Sequence, residues 1–206
     1  MSSALSTPLA PVSAPTTAAV LGDIIPANSR IQAWLRDIAL IVTVVGITAL
    51  AARISFTIPG TVVPVTGQTF GVLLGAASIG PWRGALAQVL YVGLGVLGLP
   101  LWAGGTAGSL AALGGTTGGY LLGFIAASIL VGWLARLRAD RRVLSSAAAF
   151  AAGTVVIYAI GVPWLAVTGG MSLADAAFHG AAIFVAGDLL KALAAGLLLP
   201  AIWKSL

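Results

Sequence analysis

The sequence predicts an all-α membrane protein of six transmembrane helices, one of them short or irregular, with a Gly-rich extracellular loop and both termini in the cytoplasm. Composition comes first: 59% of the 206 residues are hydrophobic and 7% are charged, where soluble domains carry roughly 25% charged residues. Second, the apolar residues fall into runs of membrane-crossing length. Third, the few cations collect between alternate runs. Such a surface is built to meet hydrocarbon and does not suit a soluble enzyme. The net charge of +5 does not point to nucleic acid, because the basic residues are scattered along the chain rather than massed on one face. With no cysteine there is no disulfide framework, thiolate metal site or cysteine nucleophile.

Residues 1–33 hold Pro8, Pro11, Pro15 and Pro26 among many Ser, Thr and Ala, a mix that predicts a disordered tail rather than a secretory signal. Residues 34–206 then form the membrane domain. The first helix is expected over Trp34 to Ile54, apolar except for Arg36, Asp37 and Arg53 near its ends. The second, Gln68 to Gly80, spans only thirteen residues before Pro81 and is too short for an ordinary crossing, which suggests a tilted, interrupted or protein-buried segment. The third runs from about Arg83 to Leu99 and is closed by Pro100. The others are expected over Tyr120 to Ala135, Leu144 to Val167 and Ala176 to Trp203, separated by a basic turn (Arg136 to Arg142) and a polar one (Thr168 to Asp175).

Lys and Arg resist translocation. With the N-terminus inside and six crossings, Arg30, Arg36, Arg83, Arg136, Arg138, Arg141, Arg142 and Lys204 all fall on the cytoplasmic face, leaving Arg53 at the outer end of the first helix and Lys191 within the last. Dropping the short second segment would move Arg83 and the Arg136 to Arg142 cluster outside. The short run therefore counts as a crossing, and the Gly-rich segment faces outward.

Asp188 and Lys191 carry the strongest chemical signal, since the prediction places both near the middle of the sixth helix, where an ionisable group costs about 2.5–3.5 kcal/mol. Their i, i+3 spacing puts them on one face. Either they form an internal salt bridge that pins the helix, or they form a polar ligand site in which the carboxylate accepts N–H bonds and the ammonium donates to an oxygen. Residues 103–119 contain seven glycines and no charge, and read either as a lid whose backbone approaches a ligand or as a loose connection. No phosphate loop is present, because no lysine precedes Lys191. The GxGxxG pattern at Gly93, Gly95 and Gly98 lies in an apolar helix and reads as close helix packing instead. His179, the single histidine, has no cluster of metal ligands or nucleophile elbow around it. Trp82, Trp102, Trp133, Trp164 and Trp203 fall near predicted helix ends, as an aromatic belt would. No metal or cofactor is expected.

Several separated motifs resemble those of the BioY biotin transporters: Ile58-Pro59, Pro64 through Gly75, Gly80-Pro81-Trp82-Arg83-Gly84, Gly98 through Gly105, Gly115 through Phe124, and Ala186-Gly187-Asp188-Leu189-Leu190-Lys191-Ala192. The resemblance covers roughly residues 34–204. It implies a substrate-binding S component of an energy-coupling factor (ECF) importer in the plasma membrane, partnered by a transmembrane coupling subunit and two cytoplasmic ATPases. It also implies biotin as the ligand, met by Asp188, Lys191, Gln68, Gly105 and Thr106, with Trp102 or Tyr91 against its rings. Ala39, Thr43, Gly46 and Ala49 become candidates for docking the coupling subunit. The chain departs from the family pattern at Arg53, usually uncharged, at Gly67, usually bulkier, and in its proline-rich tail. Two other classes of function stay open at this point: a self-sufficient carrier using Asp188 and Lys191 as a proton relay, and an intramembrane enzyme depending on His179.

Overall fold

A computed structural model describes residues 19–206, and the first 18 residues of the expected tail lie outside the described residues. The elements in chain order are helix α1 (Arg30–Arg53), strands β1 (Ser55–Phe56) and β2 (Val65–Thr66), and helices α2 (Gln68–Ile79), α3 (Pro81–Val96), α4 (Leu110–Leu113), α5 (Gly118–Arg136), α6 (Val143–Gly169), α7 (Leu173–Gly180) and α8 (Val185–Ser205). Four stretches are long and apolar enough to cross a membrane: α1, α5, α6 and Leu173–Ser205, the last taking in both α7 and α8. Helix α5 is the centre, with 61% of its apolar window buried against 22% for α1 at the edge.

Lipid supplies no hydrophobic force between helices, so close backbone approach must hold them together. Gly71 of α2 lies against α1 so tightly that a Cβ there would sit 3.1 Å from the Thr48 Cα. The elbow between α2 and α3 works the same way. Gly80 adopts φ +87°, a conformation that favours glycine, and Pro81 starts α3 with its φ already set for a helix. Gly132 of α5 fits against this elbow, where a Cβ would come within 2.5 Å of Gly80 C and Pro81 N. Helix α3 ends in a Schellman motif: Leu99 N–H donates to Leu94 O at 3.1 Å and Gly98 N–H to Gly95 O at 2.9 Å, with Gly98 at φ +97°. Of the GxGxxG glycines expected to bring helices together, Gly93 meets open space, Gly95 makes room for the Trp102 indole and Gly98 stops the helix.

Three further differences from the sequence reading have physical causes. Residues 19–29, assigned to the tail by composition, are packed: Val20 is fully buried, and Asp23, in a 3₁₀ turn over Leu21–Ile24, accepts from Arg83 Nη1 at 2.7 Å. Arg83 also pairs with Asp37 at 3.0 Å, and Ser29 Oγ caps α1 by accepting the Gln32 N–H. The segment between α1 and α2, which carries Pro59, Gly60, Pro64 and Gly67 and for which the sequence reading assigned no element, closes as a two-stranded antiparallel hairpin with Ser55 opposite Thr66 and Phe56 opposite Val65. Finally, the expected sixth helix is not continuous. It breaks at Ala181 (φ −140°, ψ −58°), and a 3₁₀ turn over Ala182–Phe184 leads into α8. The break is held from α5, because the Tyr120 hydroxyl donates to Gly180 O at 2.8 Å and leaves no space for a side chain at position 180.

At the other end of α8, Trp203 Nε1 donates to the buried Asp140 in the α5–α6 turn, and the Arg141 guanidinium stacks 3.2 Å above the Trp203 ring. Burial pushes the Asp140 carboxyl above the usual carboxylate range.

Gly132→Ala should lower stability by about 1–3 kcal/mol, because the backbone of the α2–α3 elbow cannot step aside. Gly46→Ala on the open face of α1, where a Cβ meets nothing within 4 Å, should be close to neutral. Thermal unfolding of the two variants in detergent checks the contrast.

Candidate ligand-binding site

A cavity of about 730 Å³, measured out to its open mouth, lies where the hairpin, the Trp102–Thr106 turn and the starts of α2, α5 and α8 meet the middle of α6. The walls are largely apolar, with Val63, Val65, Leu121, Phe124, Ile157 and Phe184, and the polar groups are few.

Asp188 and Lys191 both line this cavity and bond to each other, Lys191 Nζ to Asp188 Oδ1 at 2.9 Å. The break at Ala181 changes their setting. Asp188 lies in the first turn of α8 rather than in mid-helix, so the positive end of the helix dipole favours its carboxylate. This is the arrangement by which discontinuous membrane helices make polar sites. The protein also engages both charges. The Tyr158 hydroxyl donates to Asp188 Oδ2, and Lys191 Nζ donates to Thr69 Oγ1 at 2.8 Å. The couple is thus at once a salt bridge across α2, α6 and α8 and a polar surface of the cavity. Asp188 is buried, while the Lys191 side chain keeps 23% of its surface open.

Gln68, in the first turn of α2, lines the cavity with its orientation set from behind. The Tyr91 hydroxyl donates to Leu101 O at 2.8 Å, and so it receives the Gln68 Nε2 at 2.6 Å. One N–H of the amide is used in this way, leaving its second N–H as a donor and the carbonyl oxygen as an acceptor. Tyr91 itself is fully buried behind Gln68 and does not line the cavity. It was expected to offer its ring, but the Leu101 carbonyl holds its hydroxyl inside.

Trp102 and Thr106 line the opposite wall. The Trp102 indole sits between Gly95 and Gly108, where any Cβ would collide with it, and its Nε1 is buried without a hydrogen-bond partner. Gly105 is behind this wall, against the Arg53 guanidinium, and does not line the cavity. The rest of the Gly-rich segment is more ordered than a loose connection. Ser109 caps the one-turn helix α4, and Trp164 Nε1 donates to Gly115 O at 2.9 Å. The docking candidates on α1 are remote from the cavity: Ala39 and Thr43 are exposed, and Gly46 and Ala49 half-buried. His179 is not among the lining residues.

Sequence reasoning missed Thr69, Tyr120, Phe124 and Tyr158. Thr69 follows Gln68 within one of the quoted motifs, and Tyr158 is a polar tip in an otherwise apolar stretch of α6. Those are the signals that could have found them.

The fold and the cavity define a membrane protein with a largely apolar pocket among its helices that carries a few convergent polar groups. The chain belongs to the BioY family, whose description matches residues 16–206. It is 37% identical over 171 residues to the biotin transporter BioY of Rhodobacter capsulatus, covering 76% of this chain and 89% of that one. To the biotin transporter BioY of Rhizobium etli it is 35% identical over 143 residues, covering 66% and 75%. Its fold resembles the crystal structure of the S-component for biotin from an ECF-type ABC transporter, with a TM-score of 0.77 at 20% identity over 86% of this chain and 95% of that one.

Asp188→Asn and Lys191→Met should each lower stability by about 2–4 kcal/mol, because each leaves its partner charge uncompensated in a largely buried setting. The double variant should lose less than the sum of the two. A double-mutant cycle on thermal unfolding in detergent measures this coupling.

Proposed function

We propose that this chain captures biotin at the outer face of the plasma membrane as the S component of an ECF importer, and releases it inward with a coupling subunit and two ATPase subunits. The family is one of transporters rather than enzymes. The observation that carries the reading is the cavity, in which acceptors, a donor and apolar walls converge. Biotin presents two ureido N–H donors, a ureido carbonyl, an apolar ring and chain, and a carboxylate. Asp188 and the Gln68 carbonyl oxygen suit the N–H groups, and the remaining Lys191 N–H suits an oxygen. Trp102, Phe124 and Tyr158 suit the ring, with Thr106 at the rim.

The reading takes α1, α2, α3, α5, α6 and the broken α7–α8 unit as six crossings, with both termini cytoplasmic. The positive-inside rule supports this arrangement. Arg83, paired with Asp23 and Asp37, and Arg141, stacked on Trp203, lie at the end of the bundle reached by the N-terminal segment, the α5–α6 turn and the last turn of α8. Ala39, Thr43, Gly46 and Ala49 on α1 remain the surface proposed for the coupling subunit.

The purified chain should bind biotin in detergent without ATPase subunits or an ion gradient. Asp188→Asn should weaken that binding by about a hundredfold, equivalent to about 2.7 kcal/mol, while circular dichroism stays helical. Isothermal titration reads the change, and unaltered binding by the variant would remove Asp188 from the site.

The chain has no cysteine, so single cysteines report topology directly. Gly60→Cys in the hairpin should react with an impermeant maleimide from outside the cell, and Arg138→Cys only after the membrane is opened.

A further inference from the structure

The wall formed by Trp102–Thr106 has little structure of its own. It contains a single 3₁₀ turn, Ala103–Gly105, closed by Gly105 N–H to Trp102 O at 2.8 Å and by Trp102 N–H to Thr106 O at 3.1 Å. Gly104 and Gly105 both have positive φ, +66° and +76°, and glycine backbones of this kind lose the most freedom on ordering. The segment is seated on α3 by the Trp102 indole between Gly95 and Gly108 and by Gly108 N–H to Gly95 O at 3.1 Å, and contacts from α1 hold its other side.

Arg53 supplies contacts of that kind. From the last turn of α1, its Nη2 donates to Pro100 O at 3.0 Å, two residues before the wall. Its guanidinium also lies against Gly105, so close that a Cβ at that position would collide with it. The group thus touches the chain on both sides of Trp102 in sequence, at Pro100 and Gly105, and its position depends on residue 105 having no side chain. No carboxylate lies within 4.0 Å of Arg53 among the described residues, since the acidic partners there belong to Arg36, Arg83, Arg141 and Lys191. Its one hydrogen bond goes to the Pro100 carbonyl, and its guanidinium packs against Gly105, so a rigid planar group makes one bond and one close contact on the same segment.

We infer that Arg53 is a positioning residue for ligand retention: it straps the Trp102–Thr106 wall to the end of α1 and so sets how slowly the occupied cavity releases its ligand. The inference rests on the biotin reading above. Because α1 also carries the surface proposed for the coupling subunit, the strap joins that helix mechanically to one wall of the cavity.

The test uses the full chain in nanodiscs, with labelled biotin chased by unlabelled biotin and amide hydrogen exchange measured on the unliganded protein. Arg53→Gln should raise the dissociation rate about tenfold and leave association within about twofold, since changes in one interface act mostly on release. Exchange should rise over residues 102–108 and not in α5 or α6. Gly105→Ala displaces the guanidinium but also strains a backbone at positive φ, so it is read only in the Arg53→Gln background, where the part of its effect that acts through Arg53 should disappear. Arg53→Lys should fall between wild type and Arg53→Gln.

An unchanged dissociation rate in Arg53→Gln would overturn the inference. So would a salt-dependent loss of association rate in Arg53→Gln with normal release, which would make Arg53 a steering charge instead. Exchange rising throughout the chain would assign it a general stabilising role and overturn the inference as well. If the wild-type chain fails to bind biotin, the function proposed above fails, while exchange over residues 102–108 still decides whether the strap exists.

Discussion

Placing an acid and a base side by side in a bundle of membrane helices is tolerable only while both are held. Removing water from either charge alone costs several kcal/mol, and their attraction offsets this only with good geometry and further hydrogen bonds. Here Asp188 and Lys191 meet that requirement by engaging three helices at once, α8 through their own backbone, α6 through Tyr158 and α2 through Thr69. The cavity opens where those helices converge. The same requirement accounts for the break in the last segment: stopping α7 at Gly180 and restarting at Val185 brings the start of a helix, with its favourable dipole, to the carboxylate. Tyr120 belongs to this arrangement, because it lines the cavity, fixes the Gly180 carbonyl, and meets Tyr158 edge-on at 6.5 Å.

Much of the fold was legible in the sequence because hydropathy over a long window reports one thing well, the length of chain that prefers hydrocarbon. Helices α1, α5 and α6 fall close to their expected places for that reason. The break at Ala181 was not legible, since hydropathy runs on through Leu173–Ser205 and the interruption is imposed by a hydroxyl from α5. The hairpin was missed because two-residue strands leave no alternating pattern to read. Packing of the N-terminal segment was hidden for a related reason: one valine and one aspartate do the work, and composition averages over both.

The candidate site divides along the same line. Asp188 and Lys191 were visible because charge in an apolar run is rare, and Trp102, Thr106 and Gln68 because they sit in motifs shared with a known family. Tyr158 and Thr69 hold the charges in place, yet a tyrosine or threonine in an apolar helix looks like ordinary packing until its partner is known. Tyr91 illustrates the converse. Its placement on α3 near the cavity end was readable, but its use as a support for Gln68 follows from the Leu101 carbonyl, which only the folded backbone brings there.

The seams at Gly71, Gly84 and Gly132 let one backbone rest on another with no side chain between them. Such a joint asks of evolution only that a few positions stay small, and it leaves the lipid-facing residues free to drift so long as they remain greasy. A lineage can therefore replace four residues in five and still keep its architecture, as the shared fold at 20% identity with the solved S-component illustrates.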